Sequence, residues 1–75
     1  MKSVKIAMKM TESVKQFLNV VNRYPYDMDL RSGRYVVNAK SILDIFSLDL
    51  SKPITLEIFT EQCGDLLRDI EPFLA

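Results

Sequence analysis

Hydrophobic and polar residues alternate along this chain with two different periods, and the switches between them divide it into seven elements. Val4, Ile6 and Met8 alternate with Ser3, Lys5 and Ala7, the period of a strand with one buried face. Thr11 is a predicted helix cap with Glu12 in the first turn, and Val14, Phe17, Leu18 and Val21 follow at helical spacing. Pro25 stops that helix, because the residue before a proline is driven out of the α region. Tyr26, Met28 and Leu30 alternate with Asp27, Asp29 and Arg31 as a second strand; Ser32-Gly33 marks a turn, and Tyr35 to Asn38 return as a third. A short helix is predicted from Ser41, then a fourth strand at Ile54, Leu56 and Ile58. A last helix carries Cys63, Leu66, Leu67, Ile70, Phe73 and Leu74 on one stripe; Gly64 weakens its start and Pro72 disturbs its final turn. The order β-α-β-β-α-β-α implies an α+β fold, a four-stranded, largely antiparallel sheet with three helices on one face, in one domain over 1–75.

Charge narrows the function classes. Ten basic and ten acidic residues cancel, leaving neither the basic excess of a nucleic-acid binder nor the polybasic run of a protein held on an anionic membrane. No apolar run approaches a membrane span, and the N-terminal residues carry no leader-like apolar core. With one cysteine there is no internal disulfide, so a reducing cytoplasm is the expected compartment. Cys63 has no histidine to activate it and reads as a buried structural thiol rather than a nucleophile. Asp27, Asp29 and Glu57 fall on the polar positions of strands without companions, so neither a metal site nor a carboxylate pair is expected. No phosphate loop, dinucleotide fingerprint, triad or zinc spacing occurs. No cofactor is expected, and no enzyme activity.

The most informative stretch runs from Val36 to Leu50. It reads as a strand end, a polar corner at Asn38-Ala39-Lys40, and a helix opening at Ser41, whose hydroxyl can accept an orphan amide while Asp44 sits in the first turn. Apolar residues occupy 42, 43, 45, 46, 48 and 50, more than one buried face can use. Ile45, Leu48 and Leu50 are expected inside, leaving Ile42, Leu43 and Phe46 as an exposed apolar patch. Asn-Ala-Lys-Ser, followed seven residues later by Leu48-Asp49-Leu50, resembles the same corner of the HPr family, the phosphocarriers of the bacterial sugar phosphotransferase system. The resemblance implies an HPr-like open-faced β-sandwich. It further implies that Ser41 corresponds to the serine that a dedicated HPr kinase phosphorylates in some bacteria, and that Ile42, Leu43 and Phe46 lie where such proteins meet their partner enzymes.

The resemblance breaks at the site that defines the family's chemistry. Gln16-Phe17 match the family's first helix, and reading back from them puts the phosphate-bearing histidine position on Met10, the arginine position on Glu12 and the proline position on Ser13; Met8-Lys9 ahead of it is short. There is no histidine in the chain. A thioether is only a weak acceptor, and Glu12 replaces an attractive charge with a repulsive one. The expectation is therefore an HPr-like protein without phosphohistidine chemistry. It would bind protein partners through Met10, Ile42, Leu43 and Phe46, bind neither nucleic acid nor membrane, and use Ser41 either as a plain helix cap or as a phosphorylation switch. The alternatives are a conventional phosphocarrier in sugar transport and a homologue that self-associates through the same patch.

Overall fold

The computed structural model describes residues 1–75 as β1 (Lys2–Ile6), α1 (Thr11–Val21), β2 (Met28–Ser32), β3 (Tyr35–Asn38), α2 (Ile42–Phe46), β4 (Ile54–Ile58) and α3 (Gly64–Asp69), with a closing 3₁₀ turn at Glu71–Phe73. The sheet order is β1-β4-β2-β3 and every neighbouring pair is antiparallel. Lys2 to Ile6 face Ile58 to Ile54, and Met28 to Arg31 face Ile58 to Thr55 on the other side of β4. The expected α+β architecture, four strands with three helices, is the one observed.

Period-two alternation separates the two faces of this sheet. One face carries Ile6, Met28, Leu30, Ile54, Leu56 and Ile58, all buried. α1 lays Val14, Phe17, Leu18, Val20 and Val21 on it, α2 supplies Ile45, and the C-terminal segment adds Leu66, Ile70 and Phe73. Phe17 and Phe73 meet edge to face with ring centroids 5.7 Å apart, tying the first helix to the last turn. Every buried residue is apolar, and no buried side-chain polar atom lacks a partner, so the interior imposes no desolvation cost of its own. The opposite face carries Ser3, Lys5, Asp29, Arg31, Thr55 and Glu57, and Arg31 reaches across to Glu57 at 3.3 Å. That ion pair offsets the like charges of Asp29 and Glu57, which sit directly opposite each other. No helix is long and apolar enough to cross a membrane.

Several local expectations change. Thr11 is the first helical residue; the N-cap is Met10, in extended conformation and without a side-chain hydrogen bond. Met8 lies two residues beyond the end of β1 yet is buried. Tyr26 lies outside β2. The hairpin turn is Gly33-Arg34 rather than Ser32-Gly33, with Gly33 at φ +59°, the left-handed value that the first position of a type II′ turn requires. Leu74 is exposed, since Pro72 converts the end of the last helix into a 3₁₀ turn and swings Leu74 out to the sheet edge.

Candidate docking surface and regulatory serine

α2 is held as a five-residue helix by its two ends. Ser41 is its N-cap, and its Oγ accepts from the Asp44 N–H at 3.4 Å. The Ser47 N–H closes the other end on the Asp44 carbonyl. The only buried residue in α2 is Ile45, and Leu48 just after it is also buried. The other apolar residues face out: Ile42 is 42% exposed, Phe46 43% and Leu43 80%. Ile42 and Phe46, four residues apart, are neighbours on the helix surface, as are Leu43 and Phe46, three apart.

Topology relates this helix to Met10. α1 leaves the end of the sheet where β1 finishes and the β2–β3 turn lies. α2 starts at the other end, where the Lys40 Nζ donates to the Tyr24 carbonyl just past the end of α1 at 2.6 Å. It finishes at the turn end, where Ser47 and Leu48 share a polar cleft of about 490 Å³ with Gly33, Arg34 and Tyr35. The two helices thus run in opposite directions and contact one another. Met10, 67% exposed, therefore shares an end of the molecule with Phe46, while Ile42 and Leu43 are one helical turn (about 6 Å) farther along. Glu12 and Ser13 occupy the first turn of α1, with Glu12 exposed and no basic side chain in the helix's last turn.

Ser41 is half-buried, and its flanking cation is already engaged, because Lys40 is turned toward the Tyr24 carbonyl. The Lys40 amide donates to Asn38 Oδ1 at 2.9 Å, which fixes the corner ahead of the serine. Cys63 is fully buried as the residue before α3, and its thiol points to the Thr60 carbonyl. Groups of three or more cysteine, aspartate or glutamate side chains placed to hold a metal ion do not occur.

One cluster escaped the reading of the sequence. The rings of Tyr24 and Tyr26 stack with centroids 5.8 Å apart, and their hydroxyls reach α3: Tyr24 donates to Asp69, Tyr26 to Asp65. The hydrogen bond to Asp69, with burial and the nearby carboxylates, pushes the Tyr24 phenol up to about 12, and burial followed by the bond to Asp65 raises Tyr26. The signal was present as two tyrosines flanking Pro25 and two aspartates four apart on one side of α3, but only the fold brings them together.

No protein-family model matches the chain, and no curated protein matches it. Among solved structures the chain is similar to the crystal structure of phosphocarrier protein HPr from Bacillus anthracis str. Ames, with a TM-score of 0.73 and 23% identity over 99% of this chain and 94% of that one. The open-faced sandwich expected from the Asn38–Leu50 corner is therefore the fold this chain adopts.

Proposed function

We propose that this chain is an HPr-like binding or regulatory protein that docks protein partners of a bacterial sugar phosphotransferase-type system through Met10, Ile42, Leu43 and Phe46, without carrying a phosphohistidine. The observation that supports this most is Leu43, an aliphatic side chain 80% exposed in the first turn of a helix whose core contact Ile45 already satisfies. Exposed apolar side chains grouped in this way mark contact surfaces, and Met10 adds an unbranched thioether that adapts to differently shaped partners. The absence of histidine, with Glu12 at the arginine position, removes the phosphoryl acceptor and the charge that would hold it. Fold likeness alone assigns no activity, so the reading rests on these side chains.

Ser41 is the proposed control point, with an HPr-type kinase as its partner. A phosphate on Ser41 keeps acceptor oxygens at the start of α2 in place of the capping hydroxyl, and adds negative charge at the border of the apolar patch. Asp44 opposes it by like charge, and Lys40 offsets it only if released from the Tyr24 carbonyl. The modified form would then dock a different set of partners from the unmodified one. The protein is expected to work in the cytoplasm.

The test is a binding titration of fluorescently labelled protein against purified HPr kinase and against the system's first enzyme, comparing wild type with Ile42→Ala/Phe46→Ala and with Leu43→Ala. Saturable binding that both variants weaken at least tenfold, in samples shown to be folded, supports the patch. Binding unchanged in Leu43→Ala and in the double variant would sink it.

A further inference from the structure

The two edges of the sheet are finished differently. The free edge of β1 is taken up by the chain's own last residues: the Ala7 N–H donates to the Phe73 carbonyl at 2.8 Å, the Ala75 N–H donates to the Lys5 carbonyl at 3.0 Å, and Ile6 faces Leu74 between them. Lys2 and Lys5 add charge along the same strand. Cover and charge are the usual means of keeping an edge from pairing. β3 has neither. Tyr35-Val36-Val37-Asn38 contains no charge and no proline, and its register with β2 runs without a bulge.

The hairpin fixes which groups on that edge are free. Ser32 and Tyr35 flank the two-residue turn and form its hydrogen-bonded pair, so Leu30 with Val37 is the next one; the Ala39 N–H donating to Met28 at 3.1 Å keeps the same phase. Val36 accordingly turns both its amide and its carbonyl away from the sheet, as Asn38 does its amide. The side chains there are open as well, with Tyr35 71% exposed and Val36 44%.

We infer that this edge pairs with its own counterpart in a second copy of the chain, β3 against β3, antiparallel about a twofold axis through Val36, making one eight-stranded sheet. The sequence of the edge favours a second copy over a foreign strand because it is self-complementary about Val36. The two Val36 residues exchange both backbone hydrogen bonds and set their side chains together on the open face. Tyr35 of each copy then faces Val37 of the other on the helix side, giving two aromatic–β-branched cross-strand pairs. Arg34 falls opposite Asn38, so no like charges meet, and a chain of zero net charge has no long-range repulsion to overcome. A four-residue strand buries little area, so the dimer is weak and reversible.

Sedimentation equilibrium from micromolar to millimolar concentration tests this on the full chain. The mean mass is expected to rise from 8.7 kDa toward twice that value, with the Val36 amide slowing in hydrogen exchange as concentration increases. Val36→Lys, at an exposed position, is expected to weaken the dimer at least tenfold while its circular dichroism stays that of the wild type, and Leu43→Ala is expected to dimerise as the wild type does. A mass that stays at 8.7 kDa throughout would overturn the proposal. So would dimerisation lost in Leu43→Ala but kept in Val36→Lys, which moves the contact to the α2 patch. Concentration-independent exchange at Val36 overturns it even if the Val36→Lys variant fails to fold.

Discussion

Alanine substitutions along α2 should produce a gradient of folding cost that follows exposure, and this gradient decides whether the helix is a core element or a presented surface. Ile45 is fully buried, so Ile45→Ala loses its transfer free energy and leaves a cavity, about 3 kcal/mol. A buried phenylalanine costs about 3–5 kcal/mol when truncated, and Phe46 is only a little more than half buried, which scales the cost to about 2 kcal/mol. Ile42, exposed to nearly the same extent, should cost about 1.5 kcal/mol on the same reasoning. Leu43, at 80% exposure, should cost about 0.5 kcal/mol or less. The whole domain has about 4–11 kcal/mol of stability, so Ile45→Ala removes a large share and Leu43→Ala almost none. Urea unfolding reads the series directly. At a slope of about 1 kcal/mol/M the midpoint falls by roughly 3 M for Ile45→Ala and by no more than about 0.5 M for Leu43→Ala, with the slope unchanged. A fall of about 1.5 M or more for Leu43→Ala would refute the reasoning, because Leu43 would then be part of the core and unavailable to a partner.

Three other outcomes follow from the same geometry. The Tyr24 phenol, raised to about 12 by its bond to Asp69, contributes stability that is fully present below the ordinary tyrosine pKa of about 10 and is lost as pH rises through 12. Wild type should therefore lose stability relative to Tyr24→Phe between those limits, and parallel stability–pH curves would remove the clamp from the account. Gly33→Ala should cost about 1–2 kcal/mol by thermal unfolding, from its positive φ alone, since nothing lies near the added methyl group; a neutral result would mean the turn changes type. Ser41→Ala should cost about 0.5 kcal/mol, the low end for a lost N-cap because the bond to the Asp44 amide is long, and Ser41→Asp should retain most of that cap. No loss for Ser41→Ala in urea would show that the capping contact contributes nothing, and a loss that Ser41→Asp shares in full would show that a carboxylate does not replace the hydroxyl.

The parts of the molecule that were legible in the sequence are those where one local rule decides the outcome. Ile54, Leu56 and Ile58 alternate without interruption in a strand that has neighbours on both sides, and the structure buries all three. Ser41 was readable as a cap because a hydroxyl, a first-turn acid and an apolar run occur together, and it is the cap. The split of α2 into one core residue and three presented ones came from counting more apolar positions than a single face can hold. The failures lie where a tertiary contact overrides local preference. Thr11 has the better capping side chain, yet it is the first helical residue, and Met10, two residues past the buried Met8, is the cap without a side-chain bond. Leu74 fits the stripe of the last helix, but Pro72 changes the helix type before the stripe reaches it. The tyrosine–aspartate clamp joins residues about forty positions apart and has no local signature. The exposure of Tyr35 and Val36 depends on β3 lying at the edge, which the order of elements does not specify.

The central proposal is that this chain, on an HPr-like fold, docks protein partners through the exposed side chains of α2 and carries no phosphohistidine. Intact-mass measurement, after incubation with phosphoenolpyruvate and the system's first enzyme and, separately, with HPr kinase and ATP, tests it most directly. The account predicts an unchanged mass in the first reaction and, in the second, a single phosphate that maps to Ser41. A phosphate acquired from phosphoenolpyruvate would contradict it, because some residue other than histidine would then be performing the transfer that Met10 and Glu12 are argued to preclude.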